Sequence, residues 1–199
     1  RIGRSSKFKN PDQNDFAILD RINSLQITDW FPDYEISQGD KTSDPINKGV
    51  TKIFQLYTKR NLITLSSIKA RINKLDVPYY NFVMTALDHG MSKRVKHGDW
   101  SFPMSILNGT LYLPSLTREN TPFNFYRTKL KKQAEALIKV NDNNLISTGS
   151  ATQLLIEKNS IDYIFVDPPF GKNIMYSELN ISNESWIKVR TNNKTEAIE

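Results

Sequence analysis

The feature that most constrains this 199-residue chain is an apolar run that ends in two consecutive prolines. Residues 161–166 read IDYIFV, and residues 167–171 read DPPFG. A short, almost wholly apolar run bounded by breakers is typical of a strand buried in a parallel sheet. Two prolines fix the backbone and donate no hydrogen bonds, so such a strand must end there.

The segments before this run alternate between strand and helix patterns, which predicts an α/β fold for residues 109–199. Alternation of this kind implies a parallel sheet covered by helices on both faces. In open α/β sheets, ligands bind beyond the carboxyl ends of the strands, where residues 167–171 would lie. The predicted strands are 109–116, 144–148 and 161–166, and the predicted helices are 122–140 and a single turn at 151–157.

The remaining sequence divides into two further regions. Residues 1–48 are polar and rich in turn-forming residues, which predicts an irregular arm with one short helix at 16–25. The chain starts at Arg1 without a methionine and ends in mid-pattern, so we expect a fragment of a longer protein.

Residues 49–108 are predicted to form a helical region. Apolar residues recur at three- and four-residue steps over 50–75, and a second helix is expected at 79–91. Asn61 lies on the apolar stripe, and a buried amide must find partners, so Asn61 is either a structural tie or a site residue. The neighbouring Lys59 and Arg60 form either a solvated face or a phosphate contact.

Composition narrows the class of function. The chain has no cysteine, which excludes disulfides and cysteine-ligated metals. It has only two histidines, so we expect no metal site. No apolar run approaches the roughly 20 residues that span a bilayer, so we expect a soluble cytoplasmic protein. The net charge of +6 is compatible with a nucleic-acid partner. Basic residues at 92–108 and on the helix at 122–140 fit either a nucleic-acid surface or a solvated face.

The residues at 167–171 suit the binding of an amino group on an aromatic ring. Such a nitrogen is a poor nucleophile because its lone pair is delocalised into the ring. The Asp167 carboxylate and the Pro168 carbonyl could accept hydrogen bonds from both N–H groups, which favours a pyramidal nitrogen that can attack a methyl sulfonium. Phe170 offers a flat stacking surface, and Gly171 permits close approach.

The segment IDYIFVDPPFG resembles the D/N/S-P-P-Y/F motif of S-adenosylmethionine-dependent DNA amino-methyltransferases, in particular a bacterial adenine-specific group. The resemblance spans about residues 49–199. Further segments that are similar to that group are TKRNL at 58–62, GTLYLPSL at 109–116, NIMYSELN at 173–180 and WIK at 186–188.

The resemblance implies part of a Rossmann-like methyltransferase domain at 109–199, with S-adenosylmethionine as donor and DNA as partner. It implies transfer of a methyl group to the exocyclic amino group of a flipped base, without a covalent enzyme intermediate. Adenine N6 is the expected target in preference to cytosine N4. The implied catalytic residues are Asp167, Pro168 and Phe170. The implied substrate-binding residues are Pro169, Gly171, Asn173 and Tyr176, and the implied donor contacts are Asp167 and Ser150.

The glycine-rich donor loop of that family is absent from this sequence, and we expect it outside the chain. The isolated chain is therefore expected to be inactive. Two alternatives stay open: an RNA guanine-N2 methyltransferase, whose D-P-P-Y/F-G motif is similar, and a non-catalytic nucleic-acid-binding remnant.

Overall fold

The structure, a computed structural model, describes residues 9–97, 106–137, 145–147, 149, 152–167 and 174–191. These residues are mainly helical. In chain order the helices are α1 (Gln13–Ser24), α2 (Ser43–Asn47), a 3₁₀ helix (Ile53–Leu56), α3 (Lys59–Leu75), α4 (Pro78–Met91), α5 (Pro122–Leu137) and α6 (Tyr176–Ile187).

The predicted α/β, Rossmann-like fold is wrong, because the part of the chain that the structure describes contains no sheet. Extended pairing in those residues is limited to isolated antiparallel bridges: Glu35 with Lys52, Tyr57 with Ser92, and Lys96 with Thr117. The predicted helical turn at 151–157 is also not formed over its described residues, 152–157.

The predicted strand at 161–166 is not formed, because the segment is irregular and pairs with no other described segment. Its apolar side chains are between 51 % and 81 % exposed, so it is not buried either. An apolar run indicates a strand only where neighbouring strands supply ladder hydrogen bonds and cover, and the run itself cannot specify those neighbours. The predicted strand at 144–148 is likewise not formed over its described residues, 145–147. The predicted strand at 109–116 is irregular as well, although Leu111 and Leu113 are buried.

The apolar stripe over 50–75 belongs to two helices rather than one. The 3₁₀ helix ends before Tyr57, which is extended, and α3 then starts behind Thr58. The Thr58 hydroxyl caps α3 by accepting a hydrogen bond from the Asn61 backbone N–H. The stripe continues across the break because both helices face the same core. At its other end α3 stops at Asp76, which adopts the left-handed conformation with φ of 48°.

The second predicted helix is confirmed as α4, which starts at Pro78 and ends at the predicted Met91. Proline suits this first helical position because its missing N–H would have no partner there. Val83, Leu87 and Met91 recur at four-residue steps and are buried. The core therefore lies between α3, α4 and the 3₁₀ helix, and α6 closes it with the fully buried Trp186.

The N-terminal region is more ordered than the predicted irregular arm. The predicted helix at 16–25 is observed as α1, which starts three residues earlier because Asp12 and Asp15 form a reciprocal capping box. Further along, the ring of Trp30 meets the ring of Trp186 edge-on with centroids 6.2 Å apart. None of the helices in the described residues is long and apolar enough to cross a membrane.

Candidate functional site

Of the residues predicted to form the site, the structure describes Asp167 and Tyr176. Asp167 is exposed and follows the irregular segment 161–166. Tyr176 is the first residue of α6 and is 47 % exposed. The remaining predicted site residues lie outside the described residues: Ser150, Pro168, Pro169, Phe170, Gly171 and Asn173.

The first turn of α6 is attached to the loop that precedes α2. The Glu178 carboxylate accepts a hydrogen bond from the backbone N–H of Lys41 over 2.7 Å. A Cβ atom on Gly39 would overlap that carboxylate, so a larger residue at this position would require the Glu178 side chain to shift and would disturb the contact. This contact fixes the beginning of α6, two residues after Tyr176.

A buried polar network fixes the rest of α6. Asp88 of α4 lies at its centre and is 1 % exposed. Its carboxylate accepts hydrogen bonds from the Tyr57 hydroxyl and, over 2.5 Å, from the Ser182 hydroxyl. The Asn183 amide, with its nitrogen facing the carboxylate, donates to Asp88 Oδ2 over 3.0 Å. Trp186 Nε1–H donates to the Tyr57 hydroxyl over 2.9 Å, which closes the network.

The environment of this network favours a neutral phenol at Tyr57. Burial raises the pKa of Tyr57 well above its ordinary value, and the neighbouring Asp88 raises it further. A neutral Tyr57 can donate to Asp88 and accept from Trp186 at the same time. The network is thus a structural connection between α4, α6 and the residue before TKRNL.

Two basic groups lie next to this network. The Arg94 guanidinium is buried and donates to the Thr110 carbonyl over 2.8 Å. Burial lowers the pKa of Arg94, although the neighbouring Asp88 and Tyr57 act in the opposite direction. Nδ1 of His89 lies 3.7 Å from Asp88 Oδ2. Burial is the main cause that lowers the pKa of His89, against the attraction of Asp88.

Sequence reasoning did not identify this network. The signal was present in α4, where Asp88 directly follows Leu87 on a strongly apolar helix and Met91 follows three residues later. A carboxylate beside core positions predicts a buried group that needs hydrogen-bond donors. The donors come from segments 31 residues before it and 94 residues after it, a distance that no local pattern encodes.

A pocket of about 270 Å³ lies between the N-terminal turns of α3 and α5. Arg60 and Glu119 line it and form a bidentate ion pair, and the Thr58 hydroxyl also donates to Glu119. Partial burial of Glu119 opposes ionisation, but the hydrogen bonds from Arg60 and Thr58 lower the pKa of Glu119 overall. Arg60 is therefore paired with a carboxylate. This pairing favours neither of its two predicted roles, because the guanidinium is neither free in solvent nor available to a phosphate.

Asn61 contributes a buried amide to the same pocket. Its Nδ2 donates to the Met91 carbonyl over 3.0 Å, which makes it a structural tie between α3 and α4. Its Oδ1 is buried and has no hydrogen-bond partner among the described residues. Both predicted roles of Asn61 thus stay relevant, because one half of the amide is satisfied and the other is not.

The basic loop at 92–108 does not present all of its cations to solvent. Arg94 is buried, and Lys93 Nζ donates to the Gln55 carbonyl over 2.9 Å. On α5, by contrast, Arg127, Lys131 and Lys132 are exposed. In the described part of the chain, α5 thus carries three exposed cations on one helix, whereas of the described lysines and arginines of the loop Lys96 alone is exposed.

In the described residues, no group of three or more His, Cys, Asp or Glu side chains is arranged to hold a metal ion. Comparison of the chain with protein-family models, with curated proteins and with solved structures found no match in any of the three.

Proposed function

We propose that this chain carries the base-binding motif of an enzyme that methylates an exocyclic amino group in DNA, with adenine N6 as the preferred target. The observation that carries the proposal is the tetrad at 167–170, DPPF, whose first residue, Asp167, presents an exposed carboxylate. The similarity of TKRNL, GTLYLPSL and NIMYSELN to one group of DNA methylases supports the proposal beyond the tetrad alone.

In this proposal Asp167 binds and orients the target amino group. Its carboxylate accepts one N–H of the base, and the Pro168 carbonyl accepts the other. Phe170 stacks on the ring, which requires that the base has left the duplex, because an amino group inside the stack cannot be reached. A hydrogen bond to an ionised acceptor contributes about 1.5–3 kcal/mol, so loss of the Asp167 carboxylate should weaken base binding measurably.

The buried network fixes α6, the helix that follows this motif in the chain. Asp88, Ser182 and Trp186 connect α6 to the core, and α6 starts five residues after Gly171. Base binding requires a preorganised site, and a helix that is fixed in the core limits the positions open to the segment before it. The network thus acts on the proposed site through α6 and touches no substrate.

The methyl donor would supply the electrophilic carbon of the reaction. The sequence contains no F-x-G-x-G loop, and Ser150 lies outside the described residues, so no contact to S-adenosylmethionine is assigned to the described residues. Only the handling of the target amino group therefore follows from this chain.

DNA as the partner is supported by the exposed cations of α5. If Arg127, Lys131 and Lys132 contact phosphates, each contact adds about 0.9 to the log–log slope of affinity against salt concentration. Changing all three to glutamine should lower that slope by the corresponding amount. An unchanged slope would assign this face to solvent.

The proposal is tested with duplex DNA that carries 2-aminopurine at a mispaired position, because the fluorescence of this base rises when it leaves the stack. The unmodified chain should raise the fluorescence, and Asp167→Ala should weaken the effect by about 10- to 100-fold in apparent affinity. The matched control is Asp162→Ala, which removes an exposed carboxylate from the same segment and should behave as the parent.

The catalytic consequence is measured with the natural gene product, as transfer of a tritium-labelled methyl group to adenine in DNA. Asp167→Ala should abolish the transfer, and Asp162→Ala should preserve it. Equal behaviour of the two variants in both assays would refute the proposal. Labelling of guanine in RNA instead of adenine in DNA would show that the enzyme is an RNA guanine-N2 methyltransferase. Base extrusion without any methyl transfer would show that the chain is a non-catalytic nucleic-acid-binding remnant.

A further inference from the structure

The pocket between α3 and α5 has the chemistry of a second, separate binding site. Its volume of about 270 Å³ is near the lower end of the range for small-molecule sites, which suits one base or nucleoside rather than a dinucleotide. Asp167, the described residue of the motif at 167–171, does not line it. The inference therefore does not depend on the proposed role of Asp167.

The strongest indication of a ligand is the carbonyl oxygen of Asn61. The residue is 1 % exposed, and its Oδ1 has no donor among the described residues, while its Nδ2 donates to the Met91 carbonyl. A buried amide oxygen without a partner is an exception that calls for an explanation. The group that would satisfy it must bring an N–H or O–H donor into the pocket.

The charges at the pocket do not favour an anion. Arg60 is neutralised by Glu119 in a bidentate pair, and the Thr58 hydroxyl adds a further hydrogen bond to the same carboxylate. With the cation paired and the carboxylate still present, a neutral ligand with donor groups fits better than a phosphate.

An aromatic surface lies at the same pocket. Phe123, in the first turn of α5, lines it and is 65 % exposed. An exposed aromatic ring beside a polar pocket provides a stacking surface for a planar heterocycle, and the Arg60 guanidinium offers a second plane.

We infer that this pocket binds a nucleobase with an exocyclic amino group, which donates to Asn61 Oδ1 while the ring stacks on Phe123. The donor requirement selects adenine-type or cytosine-type bases over rings without an amino group. The base can come from a free nucleoside or from a nucleic acid, and both present the same chemistry to Asn61.

The test uses adenosine and purine riboside, which share the ring and the sugar and differ in the amino group. Titration calorimetry should show that adenosine binds and that purine riboside binds about tenfold more weakly. Phe123→Ala should weaken adenosine binding by about tenfold or more. The matched control is Phe82→Ala, which removes a ring of similar exposure, 62 %, that does not line the pocket, and it should leave binding unchanged.

Two further arms separate the possible outcomes. Asn61→Leu should abolish the preference for adenosine over purine riboside, and if that variant fails to fold, the ligand pair alone decides. Single-stranded oligodeoxyadenylate that binds more tightly than adenosine identifies a nucleic acid as the source, whereas equal binding identifies a free nucleoside.

Equal affinity for the two nucleosides, no binding of either, or equal effects of the two phenylalanine variants would overturn the inference. Asp167→Ala should retain adenosine binding at this pocket, so a failure of the base-extrusion assay and a failure here are distinguishable.

Discussion

Replacing Tyr57 with phenylalanine tests whether the buried network holds α6 in place. The change removes one hydroxyl and keeps the ring, which contacts the Trp186 ring edge-on with centroids 5.8 Å apart. Two hydrogen bonds are lost together: the one that the hydroxyl donates to Asp88 and the one that it accepts from Trp186 Nε1–H.

The expected loss in the free energy of unfolding is about 3–5 kcal/mol. A hydrogen bond to a carboxylate contributes about 1.5–3 kcal/mol, and a buried donor left without a partner costs about 1–3 kcal/mol. Trp186 is fully buried, so water does not replace the lost acceptor. For a chain of this size, each kcal/mol lowers the melting temperature by about 2–4 °C, which predicts a drop of roughly 6–20 °C.

Urea unfolding followed by tryptophan fluorescence measures this loss. Tyr34→Phe is the matched control, because Tyr34 is 46 % exposed and its hydroxyl lies outside the network. A loss for Tyr57→Phe that is below about 1 kcal/mol, or equal to that of the control, would refute the reasoning.

The raised pKa of Tyr57 predicts the pH dependence of the same quantity. Above pH 10 the unfolded chain releases the Tyr57 proton, whereas the folded chain keeps it. The free energy of unfolding should therefore fall as pH rises above 10, by about 1.4 kcal/mol per pH unit for this proton. Tyr57→Phe should lack that part of the slope, and identical slopes for parent and variant would contradict the assignment.

Three more predictions concern other positions in the core. Gly90→Ala places a Cβ against the Phe125 ring and should destabilise the fold by about 1 kcal/mol in urea unfolding, because overpacking outweighs the gain in helix propensity. Burial lowers the pKa of His89, so the unfolded chain binds this proton before the folded chain does and the free energy of unfolding should fall as pH drops below 6.5. His89→Gln should remove this pH dependence, and the control His97→Gln should retain it. Lys69 is buried, and its Nζ donates to Asn81 Oδ1 over 2.5 Å. Burial lowers the pKa of Lys69, so Lys69→Met should raise the melting temperature at pH 7, and a lower value would show that the hydrogen bond to Asn81 dominates.

Local signals in the sequence were sufficient for α1, α4 and α5, whereas α2 and α6 were not predicted and the turn predicted at 151–157 was wrong. Pro78 and the four-residue steps of α4 predict its extent, and Thr121–Pro122 predicts the start of α5. The apolar stripe over 50–75 predicts which side faces the core but not the break at Tyr57, because the periodicity continues through the change of helix type.

Features that depend on distant partners were not predictable in this way. The residues at 161–166 have a strand composition, yet a strand needs neighbours, and the described residues provide none. The tetrad at 167–170 was found because its residue types alone indicate a chemistry. Asn61 was recognised as a buried amide on the stripe, whereas Asp88 and its partners required the structure.

The bond between Trp186 and the Tyr57 hydroxyl also sets the order of events during synthesis. These residues are separated by 129 positions, so at about 5–20 residues per second the ribosome needs roughly 6–26 s to make the intervening chain. Throughout that interval the apolar face of α3 and α4 lacks its final cover, and Asp88 lacks two of its donors. A nascent chain in this state is a substrate for chaperones, and a premature stop before α6 would leave it there permanently.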